Sequence, residues 1–584
     1  MMLRSVSFRR AAVLLGLTAL SACAVGPDFH RPDLPKNMAY QGAPLTVTAG
    51  HGVVGATVQQ QFRAGLDIPG QWWTVFGNPN LNALVDQALA NNQSLRAMQQ
   101  GLKSAWEQRR IEGAGLYPTL SASFNPTRNK TSRVYSPIPN ANVWLYNVHT
   151  AQLNIGYVPD LWGGTRRAIE AAGAQADLQK FQLEATALTM ISDLVNATIE
   201  EATIRAEIDA TNELIRSQRA VLKTVTAEQG LGNASRQDMA QQLASVAQLE
   251  ATLPGLNLQL AQTRDQMAVL VGVTPNSPLP EFRLEQFTLP KTLPVSLPSD
   301  LLNQRPDIRA AQAQIQSASA QIGVAIANRL PNVQLSATPA QAVGVMSDFF
   351  KPGYGNWTIA ATVMQPIFQG GSLLHAERQA RDNLLQANET YKATVLSAIQ
   401  DVADSLHAVT FDADALTANE NTLKATSQSL KIAQGQLRLG DVSELVMLQA
   451  QQTNAQARLA YVQAEGARFS DSVGLFQALG GGWWNRNDMG MTPAAQKALG
   501  KWGGPGGGPG PRPETPHRPR ACGPRFVGRG IKGTESLCGV PGQSPGKHAL
   551  TDAVRKSRSA DLACLRCAPD AGNADRRDRG WRPC

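Results

Sequence analysis

Six cysteines and seven histidines are the side chains of this 584-residue chain best suited to chemistry, and their spacing decides which chemistry is open to it. Cys23 follows Leu20, Ser21 and Ala22, after a basic start at Arg4, Arg9 and Arg10 and an apolar run from Ala11 to Leu20. That is the layout of a secretory signal ending in a lipobox, in which the cysteine sulfur takes a diacylglyceryl group and cleavage frees its amine. Residues 1–22 therefore read as signal peptide and Cys23 as the lipidation site. Cys522, Cys538, Cys564, Cys567 and Cys584 lie in a tail that opens GGPGGGPGPRPETPHRPR from Gly503. Cys564 and Cys567 have the spacing of a metal-ligand pair, but no second pair accompanies them. No metal is expected, and no cofactor beyond the covalent lipid. No nucleophile, base and orienting group share a recognisable spacing, and the histidines form no cluster, so the chain does not read as an enzyme.

Charge narrows the partners. The formal net charge is +9, but residues 503–584 hold 15 Lys and Arg against seven Asp and Glu, which leaves only +1 for the other 502 residues. A near-neutral body argues against a phosphate-binding surface, and no nucleic-acid partner is expected. Beyond the leader no run of 18 or more apolar residues occurs. If the chain crosses a membrane it must do so as a closed barrel, because open sheet edges leave backbone groups unsatisfied in lipid.

The elements that would build such a barrel occur twice. Arg96 and Pro118 match Arg309 and Pro331, Pro159 and Gly163 match Pro366 and Gly370, Gly232 matches Gly440, and Gly272 matches Gly480, all in order and at nearly one offset. The duplicated unit spans residues 80–275 and 297–490, after an N-terminal segment and collar (23–79) and around a linker (276–296). The tail, 503–584, has no helical or strand period and reads as a disordered or non-native extension.

The two copies switch to period two at Pro118 and Pro331. Leu120, Ala122 and Phe124 alternate with Ser121, Ser123 and Asn125, and Leu153, Ile155 and Tyr157 with Asn154 and Gly156. Val333, Leu335 and Ala337, then Trp357, Ile359, Ala361 and Val363, repeat the pattern in the second copy. Strands are expected at about 119–126, 149–158, 332–338 and 356–365. The alternation fits either half-buried hairpins on a soluble core or barrel strands between lipid and a wet lumen. The secretory leader, the two similar hairpins and the much longer flanking helices favour the barrel. Four strands cannot close around a channel, so the chain must oligomerise. Trp144, Tyr146 and Trp357 are the aromatic-belt candidates.

Long stretches poor in Pro and Gly follow each hairpin, with apolar residues at coiled-coil spacing such as Ala455, Leu459, Val462, Gly466, Phe469, Val473 and Phe476. Gly232 and Gly440 each separate two helical runs where a turn needs positive φ. Pro254 should kink the first-copy helix, while Val462 holds its place in the second.

At these landmarks the sequence resembles the NodT-type outer-membrane efflux lipoproteins, relatives of OprM and TolC. The matching stretches are VGPDFHRP after Cys23, WWTVFGNPNLNALVDQALANN from Trp72, LYPTLSASF, the run from Asn303 to Thr338, and ALGGGWW at Ala478 to Trp484. The resemblance implies a mixed α/β membrane protein. Its two tandem repeats would give four transmembrane β-strands per protomer of a trimeric twelve-stranded barrel, with long antiparallel coiled-coil helices forming a periplasmic tunnel. It implies the outer-membrane exit duct of a tripartite efflux system, with a periplasmic adaptor, an inner-membrane RND transporter and outer-membrane lipid as partners. A type I protein secretion duct and a non-conducting bridging lipoprotein are the alternatives. Ala24, in place of aspartate after Cys23, favours the outer membrane.

The resemblance also points to a periplasmic gate. The family's acidic motif near the glycine turn reads Leu448, Gln449, Ala450, Gln451 here, while the first copy holds Asp238 six residues after Gly232. Asp238 and Gln449, with Arg438 nearby, are the gate candidates. Trp72, Trp73, Trp483 and Trp484 are expected to pack a periplasmic collar.

Overall fold

A computed structural model describes residues 24–32, 47–50, 55–130, 145–295 and 302–486. The leader with Cys23, the belt candidate Trp144 and the tail from 503 lie outside the described residues.

The elements run β1 (Gln61–Ala64), α1 (Pro79–Asn91), α2 (Gln93–Ala114), β2 (Thr119–Lys130), β3 (Leu145–Tyr157), α3 (Gly164–Gly230), α4 (Arg236–Glu250), α5 (Leu253–Val271), β4 (Thr292–Val295), α6 (Pro306–Ala327), β5 (Asn332–Val343), β6 (Gly355–Met364), α7 (Ser372–Leu439) and α8 (Glu444–Ala478). The two long helices, of 67 and 68 residues, each extend about 100 Å at the usual rise per residue. No helix among the described residues is long and apolar enough to cross a membrane.

Helix starts follow local chemistry. The Asn78 side chain accepts from the N–H groups of Asn80 and Leu81, with Pro79 as the first residue of α1. The Asn92 side chain accepts from Leu95 N–H at 3.0 Å and opens α2. Pro254 does more than kink its helix. α4 stops at Glu250 and α5 restarts at Leu253 with the proline in its first turn, where the missing N–H costs no helical bond. In the second copy α8 runs unbroken through Val462.

The four long strands form one antiparallel sheet in the order β2-β3-β5-β6. They are 12, 13, 12 and 10 residues long, enough for tilted strands to cross a bilayer. Three of them extend beyond the expected limits because pairing continues past Pro126 and Pro339. Pro126 stands opposite His149, and Pro339 opposite Trp357. The β3–β5 register skips two pairs, those of Pro339 and Thr338, where the proline has no N–H to give the ladder.

The register puts every strand's apolar set on one face: Leu120 opposite Ile155, Ala122 opposite Leu153, Ala337 opposite Ile155 and Ile359. It also corrects one assignment. Trp357 lies on that apolar face, whereas Tyr146 pairs with Asn129 and, one residue out of phase with His149 and Ala151, points to the polar face. The two aromatics do not share a belt.

A second, small sheet was not legible in the sequence: β1 pairs in parallel with β4 of the linker, Phe62 opposite Leu293. It closes the main core, where Trp72 stacks on Phe476 at 5.5 Å and lies edge-on to Trp73 and Phe76. Trp483 packs on Phe181, and Trp484 donates from Nε1 to Asp67 Oδ1 at 3.0 Å. Trp72 and Trp73 thus lie in the main core with Trp484 packed against it, and Trp483 packs on a neighbouring cluster and on Trp484.

Candidate duct wall, tip and anchor seat

The apolar face of the four-stranded sheet packs on no core. Leu120 is 69% exposed, Trp357 72% and Ile359 73%, and the main core contains no residue of the four long strands. A soluble hairpin would have buried these side chains, at about 1.5–3 kcal/mol each. The opposite face carries Ser, Thr, Asn and Gln. Among the described residues β2 and β6 are both unpaired edges.

Helices continue these edges downward. α3 packs between α2 and α6 beside the sheet and against α4, α5 and α8 further along, while α7 packs on α6 and α8. α2, α4 and α5 therefore flank one side of the wall and α7 the other. Both flanks expose large apolar side chains, Ile111, Leu243 and Leu258 on one, Leu385, Leu396 and Phe411 on the other. Among the described residues the strip has two unpaired edges, and both its flanks carry exposed apolar side chains.

At the far end both glycine turns take positive φ, +79° at Gly232 and +78° at Gly440. The residue before each, Leu231 and Leu439, is 78% exposed. Asp238 is the third residue of α4 and closes a capping box: its N–H donates to Ser235 Oγ at 3.1 Å, and its Oδ2 accepts from Ser235 Oγ at 2.8 Å and Ser235 N–H at 3.0 Å. These bonds from Ser235 hold its carboxyl below the usual range. The matching position of the second copy is Val446, and Gln449 lies one turn further into α8, so the two gate candidates are not equivalent positions. Gln449 is exposed, and its carbonyl accepts from Thr453 Oγ1 at 3.0 Å. Arg438 is exposed in the last turn of α7. Among the described residues no hydrogen bond or ion pair joins the three. Their neighbourhood is shared: Met239 and Leu448, adjacent to Asp238 and Gln449, meet in one cluster with Val221 and Val225.

At the base of the sheet residues 24–32 sit in a built seat. A methyl group on Gly163 would fall 2.6 Å from the Ala24 Cα, and one on Gly26 2.5 Å from the Gly323 Cα. Val25 N–H donates to the Trp162 carbonyl at 3.0 Å. Buried Arg167 donates to the Val25 and Gly26 carbonyls, to Asp28 at 2.7 Å and to Glu170 at 2.7 Å. Ala24 therefore rests six residues past the end of β3.

Sequence reasoning missed the charge inside the wall. Arg468, 1% exposed, donates to the Val409 carbonyl and to Thr48 Oγ1, tying α7, α8 and the N-terminal segment together. Burial pushes its pKa down to about 10 against Asp471, Asp412 and Asp414. Burial, and then the hydrogen bond and charge of Asp412, push Asp471 up to about 8. Asp471 Oδ2 is buried with no hydrogen-bond partner among the described residues. Fully buried Glu201 accepts from Arg205 at 2.9 Å and from Arg264, pinning short α5 onto α3. The available signal was charge set beside an apolar helical seam, as Arg468 is beside Phe469.

An open sheet with an exposed apolar face, carried on helices about 100 Å long, has the build of a membrane-facing wall segment. The family model for outer membrane efflux proteins matches residues 84–273 and again 297–481, and the chain belongs to that family. It is an outer-membrane transport protein and not an enzyme. A pyoverdine export outer membrane protein of Pseudomonas aeruginosa, OpmQ, is 30% identical over 71% of this chain and 87% of its own length. The open-state MtrE outer membrane channel of Neisseria gonorrhoeae superposes with a TM-score of 0.68 at 25% identity, over 79% of this chain and 98% of its own. The CmeC outer membrane channel of Campylobacter jejuni gives 0.69 at 22% identity, over 82% and 98%.

Proposed function

We propose that this chain is the passive exit duct of a tripartite, RND-type efflux system, working as a homotrimer with a periplasmic adaptor and an inner-membrane transporter. The carrying observation is the four-stranded sheet, whose apolar face meets no core and whose β2 and β6 edges are free. Three such sheets joined edge to edge make a twelve-stranded barrel, lipid outside and polar side chains inside, and every backbone group is then paired. Trp357, on the apolar face, is the belt aromatic. The flanks of α2, α4 and α5 meet α7 of the next copy to continue the tube as a periplasmic tunnel. Cargo includes drugs, toxic compounds or metals handed on by the pump.

Cys23 carries the lipid. It precedes Ala24 by one residue, about 3.8 Å of chain, and Ala24 is seated at the base of the β2–β3 hairpin, so acyl chains there enter the inner leaflet beside the barrel. Asp238, Gln449 and Arg438 form the closing tip, where turns at Gly232 and Gly440 bring the helices round. Loss of closure or of cation selectivity in Asp238→Asn supports the gate, and unchanged single-channel behaviour counts against it. Crosslinking in cells followed by identification of the captured adaptor tests the assignment as a whole: an RND-type adaptor is expected, and a protein-secretion adaptor would move the chain to a type I system.

A further inference from the structure

We infer that the loop joining β5 to β6, residues 344–354, is a membrane-docking finger. It folds outward and seats Phe350 among the acyl chains of outer-leaflet lipid, leaving the mouth of the duct uncovered. This rests on the barrel reading above, which makes the apolar face of the sheet the lipid face.

Register shows which way the loop turns. Phe124 of β2, Ala151 of β3, Gln341 of β5 and Gly355 of β6 stand in one row on the apolar face. The Gln341 side chain donates from Nε2 to the Phe349 carbonyl, and the Phe349 ring lies edge-on to Phe124 at 6.4 Å. The loop is therefore held down across β3 on the outward face. Phe350, edge-on to Phe349 at 5.1 Å, is 92% exposed. Through Phe349 and Phe124 that ring continues the bare apolar surface of Leu120, Trp357 and Ile359.

The loop's own bonding suits an apolar medium. Asp348 N–H donates to the Val345 carbonyl at 3.0 Å, Phe349 N–H to that of Met346 at 3.1 Å and Lys351 N–H to that of Asp348 at 2.9 Å, so these backbone groups need no water. Its two charged residues, Asp348 and Lys351, pair with each other at 2.7 Å. Depth follows from β2, where Arg128 stands on the same face as Phe124, about 13 Å further along the strand. Both hairpin tips lie at the end of the sheet away from the helices. That end faces the exterior, where Arg128 meets headgroup phosphates and Phe350 lies below it at acyl level.

Fluorine NMR of the full chain in vesicles of phosphatidylcholine and phosphatidylglycerol tests this. Trifluoromethylphenylalanine is placed at Phe350, at Ile359 as the lipid control, or at Leu231 of the far tip as the water control. Each signal is broadened by a doxyl-labelled phosphatidylcholine and, separately, by a water-soluble nitroxide. The lipid-to-water ratio at 350 should match that at 359 and exceed that at 231 by at least about fivefold, the contrast between a ring about 5–10 Å inside the boundary and one in solvent. A ratio at 350 like that at 231 would place the loop in water and overturn the inference. A signal shielded from both reagents would put a neighbouring copy on Phe350 and overturn it too. If the label at 359 itself takes the water pattern, the barrel reading fails instead. Gln341→Ala with Phe124→Ala removes both pins and should bring the ratio at 350 toward that at 231, with 359 unmoved; no change at 350 would sink the claim that these two residues hold the loop outward.

Discussion

Gly466 of α8 lies so close to Thr203 of α3 that a methyl group in place of its hydrogen would sit 2.3 Å from the Thr203 hydroxyl. That contact lets two long helices approach within the wall, and the threonine is held there by donating its hydroxyl to the Ile199 carbonyl at 2.9 Å. Gly466→Ala should therefore cost about 1–3 kcal/mol through overpacking, despite the better helix propensity of alanine. Thermal unfolding of the detergent-solubilised protein reads it as a lowered Tm, and Thr203→Ser in the same chain should recover part of the loss by removing the methyl that also crowds Gly466.

The Asp471–Asp412 pair makes stability depend on pH with a defined sign. Burial and Asp412 raise Asp471 to about 8 in the folded chain, against about 4 when exposed. Below about pH 4 both states hold the proton and the contribution is complete; between there and about pH 8 only the folded state holds it, so stability falls as pH rises. Asp471→Asn should flatten that slope, gaining Tm over the parent at pH 8.5 and not at pH 4. Arg468, Asp412 and Asp414 remain in both proteins, so the difference between the two pH profiles reports the titration of the Asp471–Asp412 pair.

Arg167 organises the seat of the N-terminal segment through four partners while itself buried. Arg167→Ala should free residues 24–32 without unfolding the helices, because the replaced side chain binds loop groups more than core. Hydrogen exchange at Val25, whose N–H is bonded to Trp162, should accelerate at least tenfold, the effect of about 1.4 kcal/mol of lost local stability. Exchange unchanged from the parent would show that Gly163 and Gly323 hold the segment by packing alone.

Ser235→Ala removes the side chain that both donates to and accepts from Asp238. The first turn of α4 should fray, seen as faster exchange over residues 236–240, while α8, whose start at Ser443 has no side-chain cap bond, stays as it was. Because Asp238 also stands among the gate candidates, conductance of Ser235→Ala separates the two roles: a gate acting through charge survives the loss of the cap.

Much of this architecture was legible because period two and the long helical seams are strong local signals. The alternation of Leu120, Ala122 and Phe124 fixed a strand and its faces, and the paired glycines 232 and 440 fixed the turns. What escaped depended on partners distant in sequence. Tyr146 looked like Trp357 as an aromatic near a strand, yet one residue of register sends it to the other face. The strands expected to end at about 126 and 338 run on, because neighbouring strands carry the pairing past Pro126 and Pro339. Arg468 and Asp471 drew no reading from the sequence; only the return of Thr48 and Val409 to the same spot buries Arg468. The Asp238 capping box was within reach of sequence alone, as Ser-x-x-Asp at a helix start, and was overlooked because the aspartate was read for its charge.

The central claim is that the exposed four-stranded sheet becomes the wall of a water-filled barrel. Single-channel recording of the purified protein in planar lipid bilayers tests it most directly. Discrete, long-lived conductance steps are expected, and they should be lost when Ile359 on the apolar face is replaced by Arg, which costs about 2–4 kcal/mol at the bilayer midplane and blocks insertion. Purified, folded protein that associates with the bilayer and never conducts would contradict the account.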